Sequence, residues 1–245
     1  METYCCSNGI DRISSLPVDI LHNILSNLCI FDVIHMTVLS KRWKYISTTI
    51  PYFRFDSSFS DSDPDHEEFK EFIDTFLISH KTINLVRFIL SCSNMFESTD
   101  ILRFIDAATR RNVEQLVLWF SPCEPFELPH CLDGEWRENY LKYQEWCDYW
   151  QMHDPEVSIV CLDSHLKSIQ LIGFKDEENE IELIRFFLKN ARVLEKFRIV
   201  CAGYALTSKE ASKKVLNIPT TSSQVLLTFH DAKLKRWSDN WLDNC

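Results

Sequence analysis

Cysteine and histidine are the residues of this sequence best suited to chemistry, and they are densest between positions 123 and 161. This region contains Cys123, His130, Cys131, Cys147, His153 and Cys161. Thiolate and imidazole groups bind zinc and form nucleophile–base pairs. The region has no C-x-x-C pair and no regular finger spacing, which disfavours a zinc site. A hydrolase with a Cys/His pair remains an alternative, because such pairs meet in space and need no local motif.

A second candidate for chemistry is an acidic stretch with the alternate spacing of the first calcium ligands, at Asp61, Asp63 and Asp65. The pattern then fails, because His66 stands where a calcium loop needs glycine and Phe72 stands where it needs glutamate. The sequence also lacks a P-loop, a dinucleotide glycine fingerprint, a G-x-S-x-G elbow and an H-E-x-x-H motif. We therefore expect no catalytic residue, no cofactor and no metal.

Composition is typical of a globular protein, with 45% hydrophobic and 25% charged residues in a chain of 245. The net charge of −10 disfavours nucleic-acid binding, which needs clustered lysine and arginine. No basic segment followed by an apolar run begins the chain, and no long uncharged apolar stretch follows. We expect no contact with a membrane, and we expect a cytoplasmic or nuclear protein whose ten cysteines are reduced.

Three short helices are predicted between residues 11 and 50. Pro17 suits the first helical position, and apolar residues then recur at helical spacing from Ile20 to Leu28. Asp32 is a capping residue for a second helix, and Ser40 can cap a third that carries Trp43. A segment of this size cannot bury its own apolar stripe, so we expect it to dock on a partner.

The order of these residues, L-P-x-D-I-L-x-x-I-L-x-x-L followed by V-L-S-K-R-W, resembles the F-box, and the S-K-R-W ending is similar to its plant branch. The resemblance implies a three-helix segment that binds a Skp-type adaptor, and through it the cullin and RING subunits of a ubiquitin ligase. It also implies a set of adaptor-facing or F-box core residues. They are Leu16, Pro17, Ile20, Leu21, Ile24, Leu25, Leu28, Val33, Val38, Leu39 and Trp43.

An internal repeat of apolar triplets follows, each written L-x-x-L-x-L in type. The four triplets are Leu85-x-x-Phe88-x-Leu90, Val113-x-x-Leu116-x-Leu118, Leu166-x-x-Ile169-x-Leu171 and Leu194-x-x-Phe197-x-Ile199. Their starts are 28, 53 and 28 residues apart. Because 53 is close to twice 27, the spacing predicts leucine-rich repeats with one turn hidden or damaged in the middle. Helical spacing at 101–108 and 181–191 predicts a helix before the second and the fourth strand.

The segment from Cys161 to Cys201, with the later V-L-N-I-P-T-T-S-S-Q-V-L-L-T-F, resembles the FBD domain of plant F-box and leucine-rich-repeat proteins. The shared features are H-L-K-S, the G-F at Gly173 and Phe174, E-L-I-R-F-F-L-K-N-A and V-L-E-K-F. The two resemblances together imply the F-box/FBD/LRR family. In that family several repeats separate the first leucine-rich strands from the FBD part. Here V-E-Q-L-V-L-W-F leads almost directly to that part, which predicts a shortened repeat region.

The predicted fold class is a mixed α+β or α/β repeat fold, with a three-helix F-box, a short leucine-rich-repeat-like solenoid and an FBD domain. The predicted parts are an N-terminal tail 1–10, the F-box 11–51, an acidic linker or loop 52–71, a truncated repeat region 72–155, the FBD domain 156–230 and a C-terminal tail 231–245. The repeat region contains aromatic residues at helical spacing, namely Trp136, Tyr140, Tyr143, Trp146 and Trp150. Packing against the sheet is the favoured interpretation of these residues, and partner contact is the alternative.

The predicted function is non-catalytic: a substrate-recognition subunit that links an unidentified target protein to an SCF-type (Skp–cullin–F-box) ubiquitin ligase, in which other subunits transfer the ubiquitin. Two further alternatives are an adaptor binder without a substrate and a leucine-rich interaction module that is independent of ubiquitination. Leu21→Asp and Ile24→Asp are both predicted to abolish adaptor binding.

Overall fold

The computed structural model of this protein describes residues 12–13, 15–56, 66–80, 82, 84–93, 98–121, 155–202 and 208–231. The α-helices in these ranges are α1 Val18–Leu25, α2 Ile30–His35, α3 Lys41–Thr49, α4 His66–Ser79, α5 Ser98–Thr109, α6 Pro155–Ser164, α7 Glu178–Asn190 and α8 Ser208–Val215. A 3₁₀ turn, Met36–Val38, joins α2 to α3. The strands are β1 Tyr52–Asp56, β2 Arg87–Ser93, β3 Gln115–Ser121, β4 Ser168–Phe174, β5 Lys196–Cys201 and β6 Leu226–Asp231.

All six strands form one parallel sheet in which the spatial order is the order along the chain. Strands β1 to β5 align large apolar residues in two rows. The first row is Phe53, Phe88, Leu116, Ile169 and Phe197, and the second is Phe55, Leu90, Leu118, Leu171 and Ile199. Every member of both rows is at most 2% exposed. The helices between strands supply the other half of this core, because their apolar stripes belong to the same buried cluster.

The four predicted triplets all coincide with strands β2 to β5. The first residue of each triplet precedes its strand and is buried, as Leu85 and Leu166 illustrate. The sequence contains a further triplet that was not predicted, Ile50-x-x-Phe53-x-Phe55, which forms the entry to β1. This triplet begins inside the predicted F-box, residues 11–51, and so lies outside the predicted repeat region.

Of the two possibilities predicted between the second and third triplets, a hidden turn that adds a strand to the sheet is wrong. Strand β3 pairs directly with β4, from Gln115 opposite Ser168 to Trp119 opposite Ile172. The backbone N–H groups of Lys167 and Ser168 both donate to Glu114 O, at 2.9 and 3.0 Å. Two strands joined in this way leave no space for another strand, so the interval of 53 residues is a single step across the sheet.

The predicted acidic linker 52–71 is shorter than expected. Its first five residues form β1, and its last six residues, from His66, begin α4. Two predicted helix starts also shift: Pro17 precedes α1 as its N-cap residue, and Cys29 rather than Asp32 is the N-cap of α2. The predicted cap of α3 is confirmed, since Ser40 Oγ accepts a hydrogen bond from Trp43 N at 3.3 Å.

The first three helices pack directly on the repeat region. The Phe31 ring of α2 stacks on Phe72 of α4 with ring centroids 3.8 Å apart, and lies 5.7 Å from the Phe69 ring. Cys29 Sγ donates to Arg54 O of β1 at 3.4 Å. These contacts place the N-terminal helices and the start of the sheet in one continuous core.

Candidate protein-docking surface

Helix α1 separates its apolar residues between a buried and an exposed face. Leu21 and Leu25 are i, i+4 neighbours and are 0% and 1% exposed. Ile20 and Ile24 form a second i, i+4 pair and are 47% and 46% exposed. The first pair holds the helix to the core, and the second presents aliphatic surface to solvent.

The turn before α3 exposes two more large apolar side chains. Val38 is 84% exposed and Leu39 is 65% exposed. The Ser40 cap fixes the start of α3 immediately afterwards, and Trp43 and Ile46 then enter the core. Buried side chains of α3 therefore hold this helix on the core, while the two aliphatic residues before it remain exposed to solvent.

Two side-chain contacts join α1 and α3. An Arg42 Nη2 group donates to Leu16 O and so places the start of α3 beside the residues that lead into α1. His22 Nε2 lies 3.2 Å from Thr49 Oγ1 at the other end of α3. The exposed apolar residues before each helix therefore belong to one region of the surface.

The structure divides the eleven residues predicted for adaptor binding by their exposure. Four are buried and support the segment from within: Leu21, Leu25, Val33 and Trp43. Leu16 and Leu28 are partly buried. Five are exposed: Pro17, Ile20, Ile24, Val38 and Leu39. Sequence periodicity could not separate these groups, because both faces of α1 are aliphatic.

Two further exposed residues, Ile13 and Tyr45, were not predicted; they are 58% and 62% exposed. Tyr45 lies on the outer side of α3, next to the buried Ile46. We define the docking surface as Ile13, Pro17, Ile20, Ile24, Val38, Leu39 and Tyr45. A concentration of exposed apolar residues in one segment is typical of an interaction site, which makes this surface the candidate site of the described residues.

The other candidate sites receive no support from the described residues. Cys161 is fully buried in α6, its Sγ donates to Val113 O at 3.7 Å, and burial raises the pKa of its thiol to about 12. Burial also raises the pKa of the Cys201 thiol, to about 11. Protonated, buried thiols are poor nucleophiles. The remaining residues of the Cys/His region and the aromatic cluster 136–150 lie outside the described residues.

In the described part of the chain, no group of three or more His, Cys, Asp or Glu side chains is arranged to hold a metal ion. Asp61, Asp63 and Asp65 lie outside that part. Among the helices that the structure describes, none has the length and apolar character needed to cross a membrane.

Comparison with known protein families identifies the class of this chain. Residues 13–55 match the F-box domain, which covers the docking surface, its three supporting helices and all of β1 except Asp56. Residues 154–199 match the FBD family, which covers α6 and extends through most of β5. F-box domains generally bind Skp-type adaptors, and F-box proteins generally act in substrate recognition by SCF ubiquitin ligases.

Two similar proteins carry both kinds of segment in their names. An Arabidopsis thaliana F-box/FBD/LRR-repeat protein is 38% identical over 232 residues, which are 91% of this chain and 46% of that protein. A putative F-box/FBD/LRR-repeat protein of the same plant is 32% identical over 181 residues, which are 71% of this chain and 39% of its own length. The chain belongs to the F-box/FBD/LRR-repeat family. It spans less than half the length of these relatives, and no solved structure matches it.

Proposed function

We propose that this chain is a substrate-recognition subunit of an SCF-type ubiquitin ligase. In this proposal the three helices α1 to α3 form the F-box and dock on a Skp-type adaptor, while the parallel sheet is a short leucine-rich solenoid that presents a target protein. The chain itself is non-catalytic, as is typical of its family. Ubiquitin transfer belongs to the recruited RING subunit and conjugating enzyme, and the chain acts by raising the local concentration of the target.

The observation that carries this proposal is the docking surface itself. Leu39 is 65% exposed, whereas Trp43 and Ile46, a short distance along the chain, are buried. A hydrophobic core is therefore close to Leu39, and yet the side chain of Leu39 lies outside it. Full burial of one aliphatic side chain is worth about 1.5 to 3 kcal/mol. Several such residues on one small segment would therefore stabilise an interface once a partner covers them.

The repeat pattern supports the second half of the proposal. Strands β4 and β5 of the FBD segment continue the register of β2 and β3, so the apolar rows pass through the FBD boundary without interruption. The FBD segment would therefore extend the solenoid rather than form a separate unit. We also propose a cytoplasmic or nuclear location, because the described cysteines Cys29, Cys161 and Cys201 are free thiols.

The proposal is tested with two leucine variants of matched exposure. Leu39→Asp changes the docking surface, and Leu216→Asp changes a leucine that is 60% exposed just after α8. We expect Leu39→Asp to weaken adaptor binding by at least about thirty-fold, because about 2 kcal/mol of contact is lost and a charge is desolvated. Leu216→Asp should bind like the unsubstituted chain. Size-exclusion chromatography with adaptor and cullin shows complex formation, and titration calorimetry gives the affinities.

Three outcomes separate the alternatives. An unsubstituted chain that is folded but ignores the adaptor would overturn the proposal and leave an interaction module independent of ubiquitination. Equal binding by Leu39→Asp and Leu216→Asp would overturn the assignment of the docking surface. A stable complex that ubiquitinates no co-purified protein in a reconstituted reaction would instead favour an adaptor binder without a substrate.

A further inference from the structure

Helix α3 carries an unusual charge distribution. The chain has a net charge of −10, yet residues 33–55 contain four basic residues and no acidic one. Three of the four, Lys41, Arg42 and Lys44, are in the first four positions of α3. A helix N-terminus bears partial positive charge, so each cation placed there costs about 0.3 to 1 kcal/mol. The fold alone would favour acidic residues at these positions.

The lysines of this group are available to a partner. Lys41 and Lys44 are exposed and are i, i+3 neighbours, so they lie on the same side of α3 as Tyr45. Lys41 is separated from the exposed Leu39 only by Ser40. Neither side chain forms a hydrogen bond or ion pair with any residue that the structure describes. Arg42 is engaged by its hydrogen bond to Leu16 O and has a structural role instead. Within the described ranges, no intramolecular contact of these two side chains accounts for their position.

Building on the proposed function, we infer that Lys41 and Lys44 form a basic rim beside the apolar docking surface and that the adaptor meets it with an acidic patch. Charged rims accelerate encounter and set the orientation of docking, while the apolar centre supplies most of the affinity. The uncompensated cations at the start of α3 are explained if binding brings carboxylates beside them. A basic rim is complementary in charge to an acidic protein surface, which is the occupant proposed for this face.

The test uses two charge reversals that alter the net charge equally. Lys41→Glu/Lys44→Glu reverses the rim, and Lys209→Glu/Lys213→Glu reverses two exposed lysines of α8 outside the F-box. Glutamate is a good helix former and is favoured in the first turn, so the rim variant should melt at the same temperature as the unsubstituted chain or higher. A loss of binding in this variant is then not a loss of folding.

We expect the rim variant to associate with the adaptor about ten-fold more slowly than the control at 50 mM salt, as measured by stopped-flow or surface plasmon resonance. The difference should shrink to about two-fold at 0.5 M salt, where screening is strong. Dissociation rates should change much less. Equal association rates for the two variants at low salt would overturn the inference, as would a difference that does not depend on salt. Failure of the unsubstituted chain to bind would instead refute the proposed function.

Discussion

Glu180 offers a direct test of the energetics of the FBD segment. Its side chain is 1% exposed at the start of α7, and its Oε2 accepts hydrogen bonds from Lys175 N at 2.9 Å and Glu177 N at 3.0 Å. Burial nevertheless dominates and raises the pKa of this carboxyl from 4.5 to about 7. The folded state therefore binds the proton more tightly than the unfolded state.

The direction of the pH dependence follows from this difference. A carboxyl with a raised pKa supports folding fully below pH 4.5, and its contribution falls as the pH rises to about 7. A shift of this size corresponds to about 3 kcal/mol, since one pKa unit is about 1.4 kcal/mol. Glu180→Gln keeps an oxygen acceptor for the two N–H groups but removes the titration. The difference in unfolding free energy between Glu180→Gln and the unsubstituted chain should thus change by about 3 kcal/mol between pH 4.5 and pH 8.

Urea unfolding at a series of pH values measures this difference. The midpoint of Glu180→Gln relative to the unsubstituted chain should rise by about 1 M urea across the interval. Glu178→Gln is the matched control, because it removes a carboxylate from the exposed side of the same helical turn. Parallel midpoint curves for Glu180→Gln and the unsubstituted chain would refute the reasoning, because they would mean that this carboxyl does not titrate differently on unfolding.

Two further predictions concern the F-box helices. Leu21→Asp should lower the unfolding free energy by more than about 3 kcal/mol because Leu21 is fully buried, whereas Ile24→Asp should change it by less than about 1 kcal/mol and yet abolish adaptor binding. Urea unfolding together with adaptor titration checks both predictions, and comparable destabilisation by the two variants would contradict the division of α1 into a core face and a docking face. Phe31→Ala should lower the free energy of unfolding by about 2 kcal/mol, because it removes the half-buried stacking on Phe72. We expect this variant to unfold in a single transition. A separate early transition of α1 to α3 in differential scanning calorimetry would show that these helices are not part of the common core.

The four predicted repeat strands are all present in the structure. Each triplet was informative because its spacing reflects both the alternate burial of residues along a strand and the burial of one residue in the turn before it. The two later residues of a triplet must face the core on alternate positions of a strand, and the first must enter it from the preceding turn. Leu85, Phe88 and Leu90 satisfy all three. The same pattern at Ile50 is harder to recognise, because Ile50 both ends α3 and begins a repeat. A local pattern predicts a helix or a strand. It does not decide to which of two adjacent elements a residue at their boundary belongs.

The sequence could not predict which F-box residues are exposed or which strands are neighbours. Ile20 and Leu21 are both aliphatic and adjacent, and only the packing of α1 against α3 decides that one is buried. Likewise the interval from Val113 to Leu166 suggested two repeat lengths, although hydrogen bonds between β3 and β4 make it one. Both limits have the same cause: which side chains or strands become neighbours depends on tertiary packing, and residue spacing alone does not determine it.

The connection between the F-box helices and the sheet has a mechanical consequence. Only Ile50 and Pro51 separate α3 from β1; Ile50 is fully buried, and Pro51 O accepts hydrogen bonds from the backbone N–H groups of Val86 and Arg87. His80 provides a second contact between α3 and the end of α4, because its Nε2 lies 3.2 Å from Ser47 O. Burial lowers the pKa of the His80 imidazole and so favours the neutral ring.

A two-residue linker that is buried and hydrogen-bonded in this way leaves little freedom for the docking surface to change its orientation relative to the sheet. In a ligase that works by proximity, a rigid joint would hold a target on the sheet at a fixed distance from the adaptor, and the effective concentration at the transferring enzyme would depend on that geometry. The close packing of the F-box on the repeat region is therefore as relevant to the proposed function as the docking surface itself.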